Sequence, residues 1–302
     1  MKRNSGYFGI LKNYQLYFML IPGAVYIFIF SYIPIYGVQI AFRDYMAYLG
    51  FFKSPWVGLE NFKRFFSSPD MEMILYNTLF VSIYSLLAGF PIPIILSLLL
   101  NYSPSAKLRK IVQNVTYAPH FISVVVLVGI MFVFFSPTGA GSKIASVFGI
   151  NSGLIMGTAN YFPHLFVWSG IWQSTGWNTI IYLAVLSGVD PELHEAAIVD
   201  GANIMQRIIN IDIPYLMPTA VILLVLSTGN IMNVGFEKVF LMQNSLNIMR
   251  SEVISTYVYK MGLLNSDFSY AAAVGLFNNV INLVMLVAVN QTAKKLSGYG
   301  LW

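Results

Sequence analysis

Cysteine is absent from the 302-residue chain, which excludes disulfides, thiolate metal sites and cysteine nucleophiles together. Charge is scarce as well, at 10% of residues, against roughly 25% in soluble domains. The three histidines, His120, His164 and His194, stand far apart, and none has the paired spacing of a helical zinc site. No G-x-x-x-x-G-K-[ST] run occurs, so the chain lacks a phosphate cradle of that kind. TGAGSKIAS at 138–146 has glycines without a following Lys-Ser/Thr pair and reads as a flexible outer loop. The net charge of +5 comes from basic residues scattered among loops, which favours lipid headgroups over nucleic acid as the partner.

What is present is apolar length. Hydrophobic residues make up 57% of the chain, and a hydrocarbon core about 30 Å thick needs about 20 apolar residues of helix. Six runs meet that length, at about 16–42, 72–100, 115–136, 163–187, 217–236 and 268–290. The expectation is an all-α integral membrane protein with one transmembrane domain over residues 1–302. The first run outlasts the roughly 7–15-residue core of a signal peptide and has no A-x-A cleavage site, so it reads as a retained anchor. Pro22, Pro34, Pro91, Pro93 and Pro119 predict kinks within the first three runs.

Orientation rests on the basic residues. An inside N-terminus places Lys2, Arg3, Lys12, Lys107, Arg109, Lys110, Arg207, Lys294 and Lys295 on the inner side. All but Arg207 fall in short segments beside span ends, where the positive-inside bias operates. Residues 188–216, between the fourth and fifth runs, then face the same inner side.

That segment contains EAAIVDGANIMQRIINIDIP, residues 195–214. Asp190-Pro191-Glu192 supplies a capping acceptor, a proline at the first helical position and an acid at the positive end of the dipole. A helix to about Asp200 follows, then a bend at Gly201, then a second short helix through Ile209 that stops before Pro214. Ala196, Ala197 and Ala202 form a surface that another protein can approach closely, and Glu195 offers a charge to a basic partner. The competing reading, an amphipathic helix lying in the headgroups, wants lysine or arginine on its polar face. Only Arg207 is present.

Glu195-Ala196-Ala197, three residues, Gly201, nine residues, then Ile211 and Pro214, with Ile213 where leucine is usual, resembles the signature loop of permease subunits of ATP-binding-cassette importers. YQLYFMLIPGAVYIFIFSYIPIYG, PWVGLENFKRFF and the terminal GYGLW resemble the binding-protein-dependent branch that handles oligosaccharides and polysaccharide fragments. The resemblance implies a type I ABC-importer permease-like fold of six transmembrane helices. It makes 188–216 a cytoplasmic coupling segment between helices four and five, with Glu195, Ala196, Ala197, Asp200, Gly201 and Pro214 as the ATPase-coupling residues. It also implies a chain without chemistry or cofactor of its own, ATP and Mg belonging to a partner ATPase. The implied partners are a second, related permease, two cytoplasmic ATPase subunits and an extracellular solute-binding protein docking near 43–71 and 237–267. The implied location is the bacterial plasma membrane, with both termini cytoplasmic.

Apart from Glu72, His120 and His164 near span ends, the six runs hold no ionisable residue, so no ion or proton relay of the usual kind can be drawn. They are rich instead in neutral polar and aromatic groups: Trp168, Trp172, Gln173, Trp177 and Asn178, then Ser227, Thr228, Asn230 and Asn233, then Asn278, Asn279 and Asn282. Amides suit sugar hydroxyls and aromatic rings suit sugar C–H faces. Asparagines also bond between helices, and tryptophans also anchor at interfaces. Gln173 with Trp177, and Ser227 with Asn230, each share a helix face and are the candidate substrate-pathway residues. An ion-coupled secondary sugar transporter or channel remains the alternative, for which the 195–214 spacing is coincidental.

Overall fold

The computed structural model describes residues 14–149 and 154–302. Lys2, Arg3 and Lys12, part of the orientation argument, lie outside the described residues. Its principal helices are α1 (Tyr14–Phe42), α2 (Met71–Asn101), α3 (Ala106–Phe121), α4 (Val124–Phe134), α5 (Ala140–Val147), α6 (Phe162–Leu186), α7 (Pro191–Val199), α8 (Ile204–Thr228), α9 (Phe236–Met242) and α10 (Phe268–Ser297). Among the described residues the only β pairing is an isolated bridge between Arg43 and Trp56.

By length and apolarity α1, α2, α8 and α10 are able to cross a membrane, and the bent pair α3 and α4 makes a fifth crossing if taken as one span. The fourth expected run, α6, is a 25-residue helix whose amides, hydroxyls and indoles keep it out of that apolar set.

The third run is not one straight helix. α3 ends at Phe121, Ile122 and Ser123 are extended, and α4 leaves at 101° to α3. Pro119 removes a ladder donor, and the Ser123 side chain accepts from Val126 N–H to start a new helix. The Ile122 carbonyl exposed by the break accepts from Gln173 Nε2 at 2.7 Å, the kind of repair that irregular backbone at membrane depth requires.

The fifth run is shifted. α8 begins at Ile204 and ends at Thr228, so 229–235 is non-helical. That irregular stretch is held by α10, where Asn282 Oδ1 accepts from Met232 N–H at 2.9 Å and Asn278 donates to Asn233 Oδ1 at 2.9 Å. Pro214 does not end a helix as expected. A π turn over Ile208–Asp212 widens the backbone ahead of it, and α-helix resumes at Ile213. TGAGSKIAS is not a flexible loop either, because α5 occupies most of it. A side chain on Gly139 or Gly141 would collide with Phe134, so these glycines let α5 fold back on α4. Nor is 237–267 a plain loop: Val239, Met242, Val253 and Ile254 are buried there.

Three apolar clusters hold the helices together. Leu127, Val128 and Met131 of α4 pack with Val239 and Met242 of α9. Ile74 of α2 packs with Tyr270 and Val274 of α10. Tyr182 and Leu186 of α6 meet Leu216 and Ala220 of α8. In α1, by contrast, Ala41 alone is buried, which suits a helix facing lipid or another chain.

α3 approaches α6 closely at Gly176, where a Cβ would stand 2.1 Å from the Thr116 carbonyl oxygen. Gly176→Ala is therefore expected to lower the thermal midpoint of the detergent-solubilised protein, at an overpacking cost of about 1–3 kcal/mol. Gly129→Ala, with open space around the same atom in α4, is expected to leave it unchanged or raise it.

Candidate functional site

The 188–216 segment is a short, solvent-facing helix braced at its base. Asp190 Oδ1 accepts from Glu192 N–H at 3.0 Å and Pro191 opens α7, as the sequence predicts. No residue of α7 is buried: Glu195, Ala196 and Asp200 are exposed, Ala197 is half-buried, and Val199 is 88% exposed. Gly201 is exposed with φ +82°, a left-handed conformation open to glycine at little cost. Asn203 and Gln206 then cap α8 reciprocally, at 2.8 and 2.9 Å. Pro214 is exposed inside the 204–228 helix. Among the described residues no cation comes within 4.0 Å of Glu195.

The brace is a buried carboxylate. Asp212 is 0% exposed, and its Oδ2 accepts from the Tyr102 hydroxyl at 2.7 Å. His194 Nε2, on α7, stands 3.4 Å from Oδ1. The Arg207 guanidinium lies 5.5 Å from the Tyr102 ring centroid. Burial, then the hydrogen bond to Asp212, raise the Tyr102 phenol above its ordinary value, so it remains a donor. Tyr215 adds a second tie, donating to the Gly188 carbonyl at 2.9 Å. The Asp212 side chain thus bonds α8 to the end of α2 and has the α7 imidazole against its other oxygen. No motif marks Asp212, Tyr102 or His194 in the sequence; an acid two residues before a proline in an otherwise apolar stretch is the available signal.

α6 and α8, the helices that flank this segment, also wall a cavity of about 510 Å³ together with α2. Gln173, Ser227 and Asn230 line it, along with Asn178 and Asn233. Trp177 does not. It stacks on His120, with ring centroids 4.4 Å apart and planes at 3°, and meets Phe121 edge-on. Asn278 and Asn282 are spent on the non-helical stretch at Met232 and Asn233, and Trp168 donates to the Tyr84 hydroxyl at 2.9 Å. One cavity residue escaped the sequence reading entirely. Lys238 of α9, expected in an outer loop, is 8% exposed and lines the cavity wall.

Residues 89–298 match the family model described as binding-protein-dependent transport system inner membrane component. The chain belongs to that family. Among members, it is 44% identical to Protein LplB of Bacillus subtilis (strain 168), over 96% of this chain and 92% of that one. It is 38% identical to the polygalacturonan/rhamnogalacturonan transport system permease protein YteP of the same organism, over 100% and 94%. The fold matches a chain in the crystal structure of a bacterial alginate ABC transporter in complex with an alginate pentasaccharide-bound periplasmic protein. There the TM-score is 0.90 and the identity 35%, covering 99% of this chain and 100% of that one. Family membership makes the cavity and the braced helix parts of a multi-pass membrane permease.

Tyr102→Phe strands Asp212 Oδ2 in a buried site. The expected loss is about 1–3 kcal/mol, read as a lower thermal midpoint. Lys63→Ala, which removes only an exposed ion pair with Glu60 at 3.9 Å, is expected to shift stability by less than about 0.5 kcal/mol.

Proposed function

We propose that this chain is one permease of an ATP-driven importer, carries an oligosaccharide or polysaccharide fragment inward, and couples to a separate ATPase through α7. The observation that carries the reading is the joint itself. An exposed helix with an acid and a small-residue face meets, at Asp212, α8, one of the three helices that wall a cavity holding Gln173, Ser227 and Asn230. A partner that moves α7 moves a cavity wall.

The roles follow from placement. Glu195 pairs with a basic residue of the ATPase, Ala196 and Ala197 let the partner approach, and Gly201 makes the turn. Asp200 and Pro214 bound the docking segment. Gln173, Ser227 and Asn230 offer hydrogen bonds to sugar hydroxyls, and Trp177 is left out of the pathway. The chain hydrolyses nothing itself; ATP and Mg bind the partner. A second, related permease completes the pathway and covers the exposed face of α1. A solute-binding protein docks on the outer side, where Tyr48, Phe52, Trp56 and Met249 present aromatic and apolar surface. The substrates named for the polygalacturonan/rhamnogalacturonan and alginate systems support a saccharide as cargo.

Six crossings fit this reading. α6 supplies the sixth, because 25 residues at about 1.5 Å each reach about 37 Å, beyond the roughly 30 Å core. Gln173, Ser174 and Asn178 line the cavity from α6, and polar groups of this kind are why composition alone leaves the helix out. Both termini and α7 then lie in the cytoplasm.

Glu195→Lys or Gly201→Asp in the complete complex is expected to abolish uptake with ATP maintained and the proton and sodium gradients collapsed. The variants still insert in the membrane, and pull-down of the ATPase is lost. Wild-type uptake by both variants removes the coupling role. Uptake by the unaltered complex that stops on collapsing the gradients favours an ion-coupled carrier.

A further inference from the structure

The chain buries three charged side chains among its described residues: Asp212, Glu252 and Lys238. Two have a polar or charged partner at hand. Asp212 accepts from the Tyr102 hydroxyl, and Glu252 is paired with Lys260 and also accepts from Thr256. Lys238 has no counter-charge: among the described residues no carboxylate lies within 4.0 Å of it, and no aspartate or glutamate lines its cavity.

The ammonium is nevertheless carefully housed. Nζ donates to the Phe166 carbonyl at 2.8 Å and lies 4.7 Å from the Phe166 ring centroid. Gly170, one turn further along α6, leaves the slot open; a Cβ there would stand 3.2 Å from Nζ. An ammonium carries three donors, so two remain beyond the Phe166 bond. Asn230, Asn233 and Gln173 share the same cavity. A buried charge without a partner is costly, and in membrane proteins such a residue marks a ligand path. A neutral amide could tie α9 to α6 through Phe166 without that cost, so the retained charge points to a ligand of opposite sign.

We propose that the cavity takes a carboxylate-bearing saccharide, with Lys238 pairing the sugar carboxylate while the amides bind hydroxyls. The inference rests on the reading of the chain as a saccharide permease and names the class of its substrate.

The test uses the complete importer, with its partner permease, ATPases and binding protein, in proteoliposomes. The probes are oligogalacturonate, its methyl ester and a neutral oligosaccharide. Lys238→Gln is expected to lower oligogalacturonate uptake by about tenfold or more, as suits a lost charge-assisted bond, and Lys238→Arg to restore most of it. Gly170→Leu keeps the lysine but fills its slot, and is expected to lower the ratio of acidic to neutral uptake in the same direction; it decides the matter if the glutamine variant does not assemble. Unchanged oligogalacturonate uptake in Lys238→Gln, or an unchanged ratio in Gly170→Leu, overturns the proposal. Transport of the ester or neutral sugar with rejection of oligogalacturonate by the unaltered complex overturns it too, leaving the saccharide reading intact. No saccharide uptake of any kind by the unaltered complex overturns both.

Discussion

Where α7, α8 and the end of α2 meet stands a carboxylate sealed from water. Asp212 closes the π turn within α8, is bonded by the hydroxyl at the end of α2 and is faced by the imidazole of α7. Ionic and hydrogen-bonded contacts gain strength away from water, and leaving one unmade costs correspondingly more. Parting α8 from the end of α2 would therefore leave a buried carboxylate oxygen unbonded. The exposed face of α7 bears no such constraint, since none of its residues is buried. One helix thus combines a fixed base with a free outer surface, which is what a coupling element needs.

A second constraint acts at membrane depth, where backbone groups have no water to turn to. The helices are interrupted at 122–123 and 229–235, and amide side chains repair both breaks: Gln173 at Ile122, and Asn282 at Met232. The second break borders the cavity, with Asn230 and Asn233 from the interruption and Lys238 just beyond it, and Gln173 stands in the wall from α6. Gln173 therefore does two jobs. It holds the broken backbone at Ile122 and stands in the cavity wall.

Much of this was legible in the residues. Apolar length gave α1, α2 and α10 to within a few residues at most boundaries, and Asp190-Pro191-Glu192 with Gly201 placed α7 and its turn. What could not be read was where a continuous apolar run is broken. Pro119 announced a kink, but the 101° turn depends on Ser123 capping and on a glutamine fifty residues away. Pro214 looked like a stop because the π turn that absorbs it has no composition of its own. Lys238 looked like a loop residue because nothing local distinguishes it; its burial follows from Phe166 and Gly170 on another helix. Trp177 shared a face with Gln173 as expected, yet His120 claimed its ring.

The central claim is that α7 and the base of α2 move as one body. Because the chain has no cysteine of its own, Leu99→Cys and Val199→Cys give a unique pair of spin labels at exposed positions on α2 and α7. The measurement is the distance between them by pulsed electron resonance in the complete complex, without nucleotide and with ATP trapped. A single narrow distance, the same in both states, is the result expected of a rigid joint at Asp212. A distance that shifts when ATP binds would mean that α7 swings free of α2, and would contradict the account.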